Sequence, residues 1–522
     1  MIYRCFPIVA SLLITVGLLI GLTGQQLVVA ESDTQQQTIE SIDTYVTEQM
    51  NNLGIPGVAI GIVRGDQIVY TQGYGVADDT GSPVTPDTPF LIASLSKSFT
   101  ALGIMQLVEV GKIDLDAPVQ NYLPWFRVAD ADASSKITIR HLLNHSSGLS
   151  ERQGYRRNLN SNPAGDALEA SIRDLKKEAL NSPPGTAFEY SNTNYDILGL
   201  VIQAVSGQSY ESYIQEKIFA PLGMTHSYTS LADARQGNAS SGYYSFFGFP
   251  LTVDSFMPHS KITVPSAGLF SSAQDMASYL IAHLNQGNYQ VTSILSPSGI
   301  ANLHAPGIKY SENASYAMGW AVFPFTDAAA ASLDGRIPTG LAHRGEWVGF
   351  SSIMVLIPEL ETGIVALINK SDPSQGPAIF NLGWSLSMLA MGVEPISTPQ
   401  ADFLARYGRG LLAGVILLLG ISLVWSIRKL RRLSVQEGID ARQKPRLIAL
   451  TILLALIDLF LAGWLLFVQL PENNDTLSLA LHFNPDIGLM YGLLLALTLG
   501  WGLLRTILFL AYISKARASV IV

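Results

Sequence analysis

The amino-acid sequence predicts an α+β protein, with one antiparallel sheet flanked by helices, a helical subdomain, and three transmembrane helices behind them. Three observations predict this. Runs with strand character stand at both ends of a long central region, helical periodicity fills its middle, and three apolar stretches close the chain. Composition agrees: 48% of the 522 residues are hydrophobic and only 14% charged, with mean hydropathy +0.28, so lipid is an expected partner. A net charge of −9 argues against nucleic acid, which needs a basic face. The single cysteine, Cys5, excludes an intrachain disulfide, a thiolate zinc site and a cysteine nucleophile further along the chain.

Residues 1–30 carry Arg4, an apolar run over 6–22, and small and polar residues up to Val28-Val29-Ala30. This reads as a signal peptide, or as an N-terminal anchor if uncleaved. A folded domain is expected at 36–394. It opens with strands Gly57–Val63 and Gln67–Tyr74, joined by a turn at Arg64-Gly65-Asp66, and ends with strands Phe350–Ile357 and Gly363–Asn369. Ser98–Val110 and Tyr195–Val205 read as helices between them. Residues 395–409 read as a linker, with a hinge at Ser397-Thr398-Pro399.

The membrane domain, 410–522, holds spans at 410–427, 447–469 and 488–512. Arg428, Lys429, Arg431, Arg432, Arg442, Lys444 and Arg446 separate the first two, whereas Glu472, Asp475 and Asp486 separate the second and third. The positive-inside rule then puts the basic loop and the C-terminus in the cytoplasm, and everything before 410 outside it. Arg406 and Arg409 lie against the rule but are outnumbered. Asp458 and Arg505 fall inside the second and third spans at similar depth, where a structural ion pair is expected.

The chemistry is expected at Ser94-Leu95-Ser96-Lys97, at the start of a helix. Lys97 is three residues on and shares a face with Ser94. The helix N-terminus favours a developing alkoxide, and a desolvated lysine can act as a base near neutral pH. Spacing alone does not decide, because Ser426-Ile427-Arg428-Lys429 also fits S-x-x-K, but at the cytoplasmic edge of a span. Two further segments favour Ser94: Tyr190-Ser191-Asn192 and His343-Arg344-Gly345-Glu346. Singly, each residue also has a structural reading, as a helix cap, a buried tyrosine or a sheet histidine. No H-E-x-x-H or G-x-S-x-G is present, and no metal ligand set or cofactor motif is found.

S-x-x-K, Y-x-N and H-x-G in this order resemble the serine β-lactamase-like superfamily. The likeness is to its class C β-lactamase, D-Ala-D-Ala carboxypeptidase, penicillin-binding protein and esterase branch. It extends to the segments 137–149, 219–224 and 265–272 and stops before the membrane tail. The resemblance implies a β-lactamase/transpeptidase-like fold. It implies Ser94 as the acylated nucleophile, Lys97 as its base, and Tyr190 as the proton shuttle. Asn192, His343 and Gly345 would bind or orient substrate, and the backbone N–H groups of Ser94 and Glu346 would form the oxyanion hole. The implied substrate is a small peptide such as a peptidoglycan stem or D-amino-acid peptide, a β-lactam or an ester. A broad-specificity esterase and a non-turnover penicillin-binding sensor are the alternatives. His343 and Arg344 depart from the K-T-G of many relatives, which puts β-lactamase activity, not acyl transfer, in question. His141 and His145 read as structural.

Overall fold

The computed structural model of the chain describes residues 37–158, 164–247, 249–253, 260–326, 337–372, 375–395, 403–435, 444–469, 477, 480–481 and 484–518. The expected signal at 1–30 and the hinge at 397–399 lie outside the described residues. In chain order, the elements that build the site are as follows. First come helix α1 (37–53), strands β1 (Gly57–Arg64) and β2 (Gln67–Gly75), and helices α2 (Ser96–Glu109), α3 (Asn192–Ser206) and α4 (Ala273–Leu284). Strands β3 (Ile308–Lys309), β4 (Ser315–Tyr316), β5 (Ala321–Pro324), β6 (Thr339–Trp347), β7 (Phe350–Ile357) and β8 (Thr362–Ile368) follow, then helix α5 (Gly376–Ala390).

The strands form one antiparallel sheet in the order β2-β1-β8-β7-β6-β5-β4-β3. Its centre joins the two ends of the domain, since Val58 of β1 lies opposite Ile368 of β8. Both sheet faces are covered, and so β7 and β8 are buried along their whole length, with apolar runs at Ile353–Ile357 and Ile364–Ile368 instead of an alternating pattern. Val58, Ile60 and Ile62 pack with Ile42 and Val46 of α1 and with Ile379 and Leu386 of α5. Ala59 and Val63 belong to the larger core on the other face, with Ala273, Met276 and Ala277 of α4. Gly61 lets α4 lie close, because a Cβ there would stand 2.9 Å from the Ala273 carbonyl oxygen. Each fully buried Ile or Leu contributes roughly 1.5–3 kcal/mol, so the sheet is a firm platform for the site on β6.

Helix α2 is buried from Ser96 to Met105, which explains its small and apolar residues on every face. Gly103 allows close contact with Ile202 of α3 and with Tyr213. The helix begins at Ser96, two residues before the expected start. Helix α3 begins at Asn192, three before. His141 closes a capping box: Thr138 accepts from the His141 backbone N–H, and His141 Nδ1 accepts from that of Thr138.

Among the described residues, three helices are long and apolar enough to cross a membrane: Tyr407–Arg432, Lys444–Val468 and Pro485–Ile513. The first belongs to a helix that starts at Phe403, so the second half of the expected linker is helical. Asp458 and Arg505 do pair directly, and Arg505 also donates to Ser422 Oγ at 2.8 Å, tying the three helices together. Gly502 leaves room for this pair, since a Cβ there would meet Asp458 Oδ2 at 2.3 Å. Arg409, which runs against the charge rule, bridges two buried carboxylates. It contacts Asp372 of the sheet domain at 3.1 Å and Asp486 at the start of the third long helix at 2.8 Å. Arg409 is thus held in a buried ion-pair bridge between the sheet domain and the third long helix.

Candidate active site

Ser94 sits in a single 3₁₀ turn, Ala93–Leu95, which runs directly into α2. Ala93 ahead of it is held at φ +48°, a strained conformation for a residue with a Cβ. Ser96 Oγ fastens the turn by donating to the Ala93 carbonyl at 2.7 Å. Strand β6 packs on its other side. A Cβ on Gly345 would stand 2.5 Å from the Ile92 carbonyl and 2.2 Å from Ser352 Oγ, so only glycine lets the strand reach the turn. Ser352 Oγ itself donates to that Ile92 carbonyl at 2.7 Å.

Lys97 is the second residue of α2 and is fully buried. Its Nζ lies 3.0 Å from Ser94 Oγ, 2.6 Å from Asn192 Oδ1 and 2.8 Å from the main-chain carbonyl of Ser266. Burial drives its pKa down to about 7, opposed in part by the charge of Asp196. Asn192 Oδ1 and the Ser266 carbonyl can only accept. A neutral Lys97 therefore directs its two N–H bonds at them and its lone pair at Ser94. Asp196 is one turn beyond Asn192 on α3 and completely buried, with the Ser266 hydroxyl partly offsetting the effect of burial on its carboxyl. Burial raises its carboxyl to about 7.

The Tyr190 ring lies under this amine, 4.8 Å from Lys97 Nζ to its centroid. His145 stacks obliquely on it at 4.4 Å and is itself held at φ +56°. His145 Nδ1 accepts from the Ser191 N–H at 3.1 Å and lies 3.0 Å from Asn194 Nδ2. Desolvation holds its pKa well below the usual histidine value, so the ring is neutral. His343 is buried on β6, and its Nδ1 lies 2.7 Å from the Arg344 carbonyl, which can only accept. The proton therefore sits on Nδ1, and Nε2 takes a hydrogen bond from the Tyr316 hydroxyl at 3.0 Å. Burial, with Lys97 nearby, depresses His343 to about 3. Arg344 points the other way, against the Phe380 ring. Glu346 Oε1 accepts from Ser371 Oγ at 3.0 Å, so its carboxylate is drawn off toward the sheet's edge.

Seven residues expected from the sequence (Ser94, Lys97, Tyr190, Asn192, His343, Gly345 and Glu346) thus lie on four adjoining pieces: the turn, α2, the entry to α3, and β6. Ser426 is far along a membrane-type helix, at the other S-x-x-K. Sequence reasoning missed Asp196, the Ser266 carbonyl and Tyr316. A charged residue on an otherwise apolar helical stretch was a usable signal for Asp196; a main-chain carbonyl leaves none. Beside the site, a cavity of about 320 Å³ opens between residues 264–268 and Trp347, with Leu91, Leu231 and Phe270 in its wall.

The fold and the layout of these motifs define the serine β-lactamase and penicillin-binding protein class. The chain belongs to the Beta-lactamase family, whose description matches residues 42–381. It is 32% identical over 339 residues to Protein flp of Staphylococcus aureus (strain COL), covering 65% of this chain and 64% of that protein. The shared region is therefore less than two thirds of that relative. It is 28% identical over 324 residues to Penicillin-binding protein 4 of Amycolatopsis lactamdurans, covering 60% of this chain and 80% of that one. The octameric penicillin-binding protein homologue from Pyrococcus abyssi superposes with a TM-score of 0.59 at 28% identity, over 69% of this chain and 79% of its own.

Proposed function

We propose that this protein is a membrane-anchored serine hydrolase, with its catalytic domain outside the cytoplasm, that works through an acyl-enzyme on Ser94. The observation that carries the reading is the buried Lys97 amine, 3.0 Å from Ser94 Oγ and with its other two directions bound to obligate acceptors. Neutral Lys97 takes the Ser94 proton as Oγ attacks the substrate carbonyl carbon. The resulting oxyanion is held by the backbone N–H groups of Ser94 and Glu346, each donor of this kind being worth about 10²–10³ in rate. Collapse breaks the bond to the leaving nitrogen or oxygen, which takes a proton relayed through Tyr190. Water, deprotonated by the same groups, then releases the acid and regenerates Ser94.

The substrate class is an amide or ester: a D-amino-acid or peptidoglycan-type peptide, a β-lactam, or a simple ester. Neutral His343 is a weaker anchor for a substrate carboxylate than the lysine of K-T-G relatives. That feature favours an ester or peptide over a β-lactam. Anchoring rests on the three apolar helices, and the outward orientation on the signal-like N-terminus and the basic loop at 428–446.

The test is a panel of p-nitrophenyl esters, D-Ala-D-Ala peptides and nitrocefin with the full-length protein in detergent. Turnover of an ester or peptide that disappears in Ser94→Ala supports the reading. Activity that survives Ser94→Ala, or no turnover and no acylation on any of them, contradicts it.

A further inference from the structure

A two-stranded hairpin, Tyr243–Phe246 and Phe249–Thr252, is buried at Tyr243 and Tyr244 but exposes apolar side chains at its tip and along its second strand. Phe249 is 75% exposed, Phe247 45% and Leu251 44%, with Pro250 exposed between them. A patch of this kind on one short hairpin is costly in water and calls for a partner. The hairpin's root is firm: Tyr243 and Tyr244 pair in parallel with Lys370 and Ser371, and the Tyr243 N–H is shared by the Gly349 and Asn369 carbonyls.

Its tip touches the membrane-type helices. The Phe247 N–H donates to Asp486 Oδ2 at 3.2 Å, and Arg409 Nε donates to that same oxygen at 2.8 Å. Asp486 is the second residue of the third long apolar helix, and Arg409 the third residue of the first. Both helices start at the same end of the bundle, so the aromatic tip lies level with the point where each would enter the bilayer. Aromatic side chains at that level belong to the interfacial layer, between headgroups and acyl chains.

We infer that the 243–252 hairpin is an interfacial anchor, with Phe247, Phe249 and Leu251 inserted into the lipid headgroup–acyl boundary beside the helix bundle. The inference rests on the reading that the three apolar helices cross a bilayer. It has a consequence for the active site. From the Arg409 and Asp372 pair, one residue back is Ser371, whose hydroxyl binds Glu346 at the oxyanion end of β6. The hairpin and the membrane helices therefore hold that end of the sheet against the lipid surface, where a substrate tethered to the membrane or lying along it would be presented.

The test uses the full-length chain with Cys5→Ser, in proteoliposomes of phosphatidylethanolamine and phosphatidylglycerol, and an environment-sensitive thiol dye at one introduced cysteine. Phe249→Cys reports the hairpin and Leu417→Cys the first apolar helix, both replacing exposed side chains. Val291→Cys reports the far end of the sheet, where Gln290 shares a cleft with Asp66 and Gln67, roughly 25 Å of strand away. The expected result is blue-shifted emission at 249 and 417, quenched several-fold more by doxyl-labelled lipid than emission at 291. Quenching at 417 with a water-like, unquenched signal at 249 overturns the anchor but not the membrane reading. A blue shift at 249 without lipid quenching means protein covers the hairpin, and also overturns the anchor. No quenching at either position overturns the membrane reading and the anchor with it.

Discussion

Lys97 Nζ faces Ser94 Oγ at 3.0 Å, with Asn192 Oδ1 and the Ser266 carbonyl occupying its other two directions. This arrangement leaves one productive protonation state. A neutral amine accepts the serine proton, whereas an ammonium fills all three directions with donors and cannot. Burial, the largest influence on this lysine, makes the neutral state accessible near pH 7.

The first expectation concerns pH. The acid limb of kcat/KM should fall near pH 7, with activity rising as Lys97 loses its proton. The charge on Asp196 favours the ammonium, and burial raises its own carboxyl to about 7, so Asp196→Asn should move that limb modestly to lower pH. An ester-hydrolysis profile from pH 5 to 9 on both proteins checks it; an unmoved or upward-shifted limb would show that Asp196 does not act on Lys97.

Lys97→Met removes the proposed base but keeps an apolar side chain of similar length in the same pocket. Ester turnover should drop about 10²–10⁴-fold. Circular dichroism should be unchanged, so that the loss reads as chemistry and not as unfolding.

Gly345→Ala tests the contact between β6 and the serine turn. Its Cβ would be forced to within 2.5 Å of the Ile92 carbonyl, so strand and turn must separate. The strain should cost about 1–3 kcal/mol of stability. Turnover should fall roughly 10²-fold as the two oxyanion donors part. A thermal melt together with single-turnover acylation measures both, and wild-type acylation would remove β6 from the oxyanion site.

His145→Ala removes the acceptor for the Ser191 N–H and the ring that packs on Tyr190. An unmet buried donor costs about 1–3 kcal/mol. Misplacement of Tyr190 should slow turnover by roughly 10²-fold. The decisive reading is a split between acylation and steady-state rates, because mere destabilisation would leave their ratio unchanged in the folded fraction.

Arg409→Ala strands two buried carboxylates, Asp372 and Asp486, and should destabilise the full-length protein by about 3–5 kcal/mol. Arg409→Lys should recover part of that in a detergent melt, since a cation is restored without the two-pronged geometry. Equal melting for all three proteins would mean that the bridge carries no stability.

Much of this site was legible because its parts are local. Ser94 and Lys97 share one helical turn, and Tyr190 and Asn192 flank the entry to another, so short spacing encodes their geometry. The strands at either end of the domain were legible as β-rich runs, and their ends shift by a residue at most. What escaped is long-range. Nothing local says that the Ser266 carbonyl closes the third side of Lys97, or that the Tyr316 hydroxyl meets His343 Nε2 from 27 residues away. Arg409 looked like an exception to charge topology because its partners, Asp372 and Asp486, lie 37 and 77 residues away.

The central claim is that Ser94 is the acylated nucleophile and Lys97 its base. It is tested most directly by treating the full-length protein with a fluorophosphonate at pH 8 and locating the adduct by peptide mass spectrometry. The account expects one adduct, on Ser94, absent in Ser94→Ala and formed at least ~10²-fold more slowly in Lys97→Met. An adduct on any other residue, or labelling that persists in Ser94→Ala, would contradict it.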